Sequence, residues 1–232
     1  WCNAVYSAIC KTLISRSVLL KNLINYLLIT FFVFTLGGGS LAQVQMSVWG
    51  GINNSSFGGN PPKDFSYGSI YGIAVGGNFD FQPTGDFVIS LEPSFEQKGS
   101  KIEYNIEEGF QDTTLTYTVR QNYFGLALMF KVNAGNFYVG SGISAQLLSS
   151  AYLEFESEET DIKDEFINYD ALAFFNVGYK IPIGGPSLFI ELRYIQGLIS
   201  ILSEEGESGD ENYLSNFKST GLRLSTGILI PL

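Results

Sequence analysis

From Gln43 to the C-terminus, apolar residues recur at every second position in segments of about ten residues, and no stretch repeats them at a helical period. A two-residue period places successive side chains on opposite faces of a strand, so this part of the chain can form only sheet with one apolar and one polar or small face. In Gln45 to Asn53, Met46, Val48, Gly50 and Ile52 oppose Gln45, Ser47, Trp49, Gly51 and Asn53. In Ser69 to Phe81, Tyr71, Ile73, Val75, Gly77 and Phe79 oppose Gly72, Ala74, Gly76, Asn78 and Asp80. From Phe87 on, Phe87, Ile89, Leu91, Pro93 and Phe95 oppose Val88, Ser90, Glu92, Ser94 and Glu96.

Five further segments follow, over Thr116 to Val132, Phe137 to Leu148, Ile167 to Ile181, Ser187 to Leu198 and Lys218 to Pro231. Short turns separate some of them: Gln82 to Asp86, Asn133 to Asn136 and Pro182 to Pro186. Longer links, the stretch between Asn53 and Ser69, Gly99 to Leu115, Ser149 to Phe166 and Ile199 to Phe217, separate the others. Long and short links alternate, as in outer-membrane barrels with short periplasmic turns and long external loops. The expected fold is all-β, an eight-stranded antiparallel transmembrane β-barrel with both termini on the periplasmic side.

A soluble ligand-binding barrel would show the same period, so the solvent has to be argued separately. The apolar faces carry few charges, and Tyr71, Phe79, Phe87, Phe95, Phe124, Phe137 and Tyr179 recur toward strand ends, where an aromatic girdle would meet the membrane interface. The opposite faces mix small residues with Glu92, Glu96, Lys131, Asp170, Glu191, Arg193 and Arg223, which suits a crowded polar lumen. These seven charges are read as a structural network, because a buried charge without a partner is costly. An eight-stranded ring is just wide enough for its side chains to fill, which disfavours a general diffusion pore.

Ahead of the barrel, Lys21 precedes an apolar run to Leu36, and Ser40 and Ala42 supply small residues at −3 and −1. The pattern predicts a signal peptide over 21–42, cleaved before Gln43, and export to the cell outer membrane through the periplasm. Residues 1–20 lack a compact basic start and read as an upstream or non-native segment, which leaves 43–232 as the barrel.

Histidine is absent, and Cys2 and Cys10 both precede the barrel. The expected chain therefore has no disulfide framework, no Cys/His metal site, no cofactor and no Ser-His hydrolase site, and it is read as a non-enzyme. All 23 acidic residues follow position 42, against ten of the 13 basic ones, a net of −13 that disfavours nucleic acid. Acid concentrates in two links, at Glu154, Glu156, Glu158, Glu159 and Asp161, and at Glu204, Glu205, Glu207 and Asp210. These are interaction-loop candidates for divalent cations or a basic partner, although their spacing matches no EF-hand. The other expected partner is outer-membrane lipid, around a monomer.

The stretches Tyr123 to Val132, Asn136 to Gly142 and Glu191 to Leu198, the last with Arg193-Tyr194-x-x-Gly197-Leu198, resemble the outer-membrane β-barrel domain family of Bacteroidetes, the porin family or PorT-like proteins. Gly125-Leu126-Ala127 departs from that family's Ile-Pro-Leu pattern, and Leu232 replaces the aromatic end of many outer-membrane proteins. The resemblance implies an outer-membrane barrel with no settled activity. A structural or surface-interaction role is the leading expectation, and a narrow channel or secretion-accessory barrel the alternative.

Overall fold

The computed structural model describes residues 43–59, 61, 65–108, 111–156, 158–202 and 217–232, with the side chains of 106–108 and 111–113 left aside. The predicted signal segment 21–42 and the residues before it lie outside the described residues. Among the described residues nine strands run in chain order: β1 Gln43–Gly58, β2 Phe65–Thr84, β3 Phe87–Glu108, β4 Gln111–Ala134, β5 Phe137–Phe155, β6 Glu158–Asp161, β7 Tyr169–Pro182, β8 Ser187–Gly197 and β9 Lys218–Pro231. All but β6 pair antiparallel with both neighbours, and β1 pairs with β9, so eight strands close a ring. The small β6 folds back on the end of β5, with Tyr152 opposite Asp161.

The register sets the girth of the ring. Stepping across paired residues from Met46 leads through Phe79, Leu91, Leu128, Ile143, Ala173, Gln196 and Thr220 to Ser56. One circuit thus climbs ten residues along β1. At about 3.3 Å per residue and about 4.8 Å between strands, a stagger of ten over eight strands tilts them by roughly 40°. Two one-residue irregularities interrupt the ladders toward the long-link end. β2 carries an extra residue between Ser69 and Ala74, and β5 carries Ser149 as an extra residue between the pairs Asn122 to Ser150 and Tyr123 to Leu148.

The apolar face points out of the ring. Val48, Ile52, Ile73, Leu126, Ile143, Leu192 and Leu224 are all exposed, whereas the opposite parity is buried. An inside-out arrangement of this kind is stable where the surroundings are hydrocarbon. Near the short turns Phe87 stacks on Phe130 and Phe137 packs on Tyr179. Toward the other end Phe95 packs on Phe124, and exposed Tyr71 and Tyr169 stand somewhat farther out. These two aromatic rings bound an apolar band about 20 Å tall, measured along β2 from Phe79 to Tyr71.

Strand ends toward the long links differ from the sequence reading. The link expected over Gly99 to Leu115 is mostly ladder, since β3 and β4 stay paired from Phe87 and Val132 up to Glu108 and Gln111. The link expected over Ser149 to Phe166 holds the end of β5, β6 and a 3-10 turn at Lys163–Glu165. The physical reason lies in the outward residues. Beyond Phe95 they become Gln97, Lys101, Glu103 and Asn105, and before Phe124 they are Thr114, Thr116, Thr118, Arg120 and Asn122. Past the lipid boundary water replaces hydrocarbon on the outer face, so the apolar contrast that marks a strand disappears while the ladder continues.

Candidate functional site

The interior is a stack of ion pairs supported from the wall. At mid-height β8 turns Arg193 inward, where its two Nη atoms donate to both oxygens of Glu92 on β3 at 2.7 Å each. The same guanidinium donates to Glu191 Oε1 from Nε at 3.1 Å and from Nη2 at 2.8 Å. Arg223 on β9 donates to Glu96 and to Glu92, both at 2.9 Å. Glu191 accepts in addition from Tyr138 Oη at 3.0 Å and Asn176 Nδ2 at 2.7 Å. Aromatic faces cover the cations, with Phe174 4.2 Å from Arg193 and Trp49 4.0 Å from Arg223.

Above and below this centre stand two lysine pairs. Toward the short turns Lys131 donates to both oxygens of Asp80, which also accepts from Ser90 Oγ at 2.5 Å. Toward the long links Lys98 donates to Asp170 at 3.0 Å and Gln146 at 2.6 Å and lies over the Tyr123 ring. Among the described residues, side-chain exposure in the six buried pairs of 3.0 Å or less is at most 5%. Charges taken so far out of water persist only when partnered, and the bidentate arginine geometry is the strongest way to partner them.

Glu92, Glu96, Lys131, Asp170, Glu191, Arg193 and Arg223 all fall inside the ring and in these contacts. Asp80 and Lys98 belong to the same network and are not among the seven charges that the sequence points to. Asp80 shares the inward parity of Asn78 but lies close to the Gln82 to Asp86 turn. Lys98 continues the parity of Glu92 and Glu96 beyond the point where the strand was expected to stop. Following the parity onward from Glu96 reaches Lys98, whereas Asp80 already stands on the polar face of Ser69 to Phe81.

Glycine makes room for the larger members. A Cβ at Gly178 would meet Tyr138 Cζ at 2.1 Å, and one at Gly142 would meet Phe174 Cζ at 2.6 Å. Each ring lies flat against a strand that has no side chain at the point of contact.

The long-link end of the lumen is closed by an apolar cluster of Phe57, Val119, Tyr123, Leu148, Ala151, Phe166, Ile201 and Phe217. Phe57 lies 4.3 Å from Phe217 and 6.5 Å from Phe166 between ring centroids. Backbone bonds knit the segments together, from Ile167 N to Ile201 O and from Ile201 N to Phe217 O, both 3.0 Å. By sequence Phe166, Ile201 and Phe217 fall in links, because their partners are distant in the chain and no local period marks them.

The acidic candidates are not gathered into one site. Glu156, Glu158, Glu159 and Asp161 are exposed, and half-exposed Glu154 meets Arg120 at 3.4 Å. Asp161 Oδ1 accepts from the Lys163 backbone N–H. Among the described residues no group of three or more His, Cys, Asp or Glu side chains is arranged to hold a metal ion. Glu204, Glu205, Glu207 and Asp210 lie outside the described residues.

No curated protein matches the chain. Among solved structures it is similar to the Neisserial surface protein A, at 11% identity and TM-score 0.44, over 79% of this chain and 96% of that one. It is also similar to Ail, the attachment invasion locus protein of Yersinia pestis, at 12% identity and TM-score 0.39 over 80% and 98%. The outer membrane protein OprG of Pseudomonas aeruginosa gives 12% and 0.36 over 82% and 97%. The family model described as outer membrane protein beta-barrel domain matches residues 40–203, more than half of the chain. With a closed ring that is apolar outside and ion-paired within, the chain is an outer-membrane protein and belongs to the outer membrane protein β-barrel domain family.

Proposed function

We propose that this chain is a sealed, non-conducting outer-membrane barrel whose role is structural and whose outer hairpins form an interaction surface. The observation that carries the reading is the filled lumen, in which buried acids are engaged by arginine, lysine or amide donors and the outer mouth is covered by the aromatic cluster around Phe57. A permeation path would need water-lined space, which those side chains occupy. The same pairing supports a non-enzymatic role, since carboxylates locked to arginines are poor general acids or bases. Exposed acids from Glu156 to Asp161 on the outer hairpin suit a basic partner or loosely held divalent cations. Cleavage after Ala42 and a place in the Bacteroidetes, PorT-like branch belong to this proposal and rest on the motifs quoted above.

Planar-bilayer recording with the purified, folded chain tests it. The expected record is a flat baseline after insertion is verified by gel mobility. Stable, stepwise conductance would overturn the sealed-barrel reading in favour of a narrow channel.

A further inference from the structure

The outer wall of the barrel is almost free of positive charge. Among the described outward strand positions basic side chains occur at Lys101, Arg120 and Lys218, all on the long-link side of the outer aromatic ring. Two of them are neighbours. Lys101 pairs with Thr118 and Arg120 with Gly99, so the two side chains stand diagonally on the same face of β3 and β4. Lys218 sits on β9, across the ring from them.

Their depth is set by the register. Arg120 lies four residues beyond Phe124 on β4, about 10 Å along the barrel axis, and Lys101 lies six beyond Phe95 on β3, about 15 Å. The polar layer of a bilayer is about 5 to 7 Å thick on each side. Because Tyr71 and Tyr169 stand farther out than Phe95 and Phe124, both basic residues start only about 4 to 8 Å above the outermost aromatic side chains, and their charged ends reach that layer. Both residues are exposed. Glu154 engages Arg120 only through Nε, at 3.4 Å in an exposed pair, and leaves both Nη atoms for another acceptor. Directly below, Gln97 supplies a neutral donor on the same outward face, and its register partner Asn122 donates from Nδ2 to Ser150 Oγ at 2.9 Å.

We infer that Lys101 and Arg120 form a cationic clamp on the lipid-facing wall for the phosphate of an anionic lipid in the outer leaflet. The acyl chains of that lipid would lie along the apolar band below, against Phe95, Phe124 and Leu126. A guanidinium beside an ammonium matches a phosphate monoester, whose charge exceeds what either residue satisfies alone.

The test uses the full chain folded in detergent micelles, with phosphatidic acid and phosphatidylcholine as competing probes and retained lipid read by native mass spectrometry. Wild-type protein is expected to retain phosphatidic acid preferentially, and the Lys101→Gln/Arg120→Gln variant to lose that preference by about tenfold or more. Lys218→Gln is expected to keep it. Equal preference in wild type and double variant overturns the clamp, as does complete displacement of the lipid by inorganic phosphate, which would make the site one for a free anion. Gel mobility of unheated samples reports folding. Should the double variant fail to fold, Glu154→Gln decides: releasing Arg120 is expected to raise the preference, and a fall or no change counts against the proposal.

Discussion

Replacing Arg193 by methionine removes the cation at the centre of the lumen while nearly keeping its volume. Four hydrogen bonds of 2.7 to 3.1 Å disappear, two from Glu92 and two from Glu191. Arg223 remains for Glu92, but its nearest approach to Glu191 is 3.8 Å. Glu191 then keeps only Tyr138 and Asn176 as donors, in a site where its side chain is 3% exposed. Breaking a buried pair from one side costs about 3 to 5 kcal/mol, because the abandoned charge stays buried. The loss is read as a drop in unfolding free energy from urea titration of the folded protein in phospholipid bilayers, with heat-modifiable gel mobility as the probe. The decisive comparison is Arg193→Met with Glu92→Met. That pair removes one charge of each sign and leaves Arg223 with Glu96, so it is expected to be less destabilised than the sum of the single variants by about 2 kcal/mol or more. Additive losses, or a single-variant cost below about 1 kcal/mol, would show that the acids are supported by water or by their own neutralisation and would refute the network argument.

Other perturbations follow from the wall. Leu126→Arg places a charge among lipid chains between the two aromatic rings and is expected to cost about 2 to 4 kcal/mol, whereas Thr116→Arg, beyond the outer ring, is expected to stay within about 1 kcal/mol in the same titration. Gly178→Val should force the Tyr138 ring off the wall and cost about 1 to 3 kcal/mol or more, while Gly50→Ala, with nothing within 4 Å of the added carbon, should be near neutral. Thermal shift of the folded band on gels separates those two. Arg120→Ala should change stability by less than about 1 kcal/mol, since its pair with Glu154 is exposed on both sides.

Within the membrane band the fold was legible because hydrocarbon outside and packed polar groups inside impose opposite demands on alternate residues. β9, Lys218–Pro231, coincides with its predicted span for this reason. Outside the band the contrast fades. Lys101, Glu103 and Asn105 face outward into water as loop residues do, so Gly99 to Glu108 of β3 and Gln111 to Leu115 of β4, though they belong to the ladder, read as a link. The inward charges were legible by parity wherever the strand itself was recognised, which is why Glu92 was found and Lys98 was not. The aromatic seal at the outer mouth was illegible because Phe57, Phe166 and Phe217 meet through ring closure and folded-back links.

The extra residues in β2 and β5 act in opposite directions. One shifts the partners of every later strand by a residue, and the other shifts them back before the circuit reaches β7. A closed ring imposes a conservation rule that an open sheet lacks: offsets must sum to the same total along any path, or the first and last strands cannot meet. A single insertion in one outer strand is therefore a defect of the whole circumference, curable by an opposite change several strands away that touches nothing near it. Compensation between distant, non-contacting positions is what such a chain should show when its outer hairpins change length.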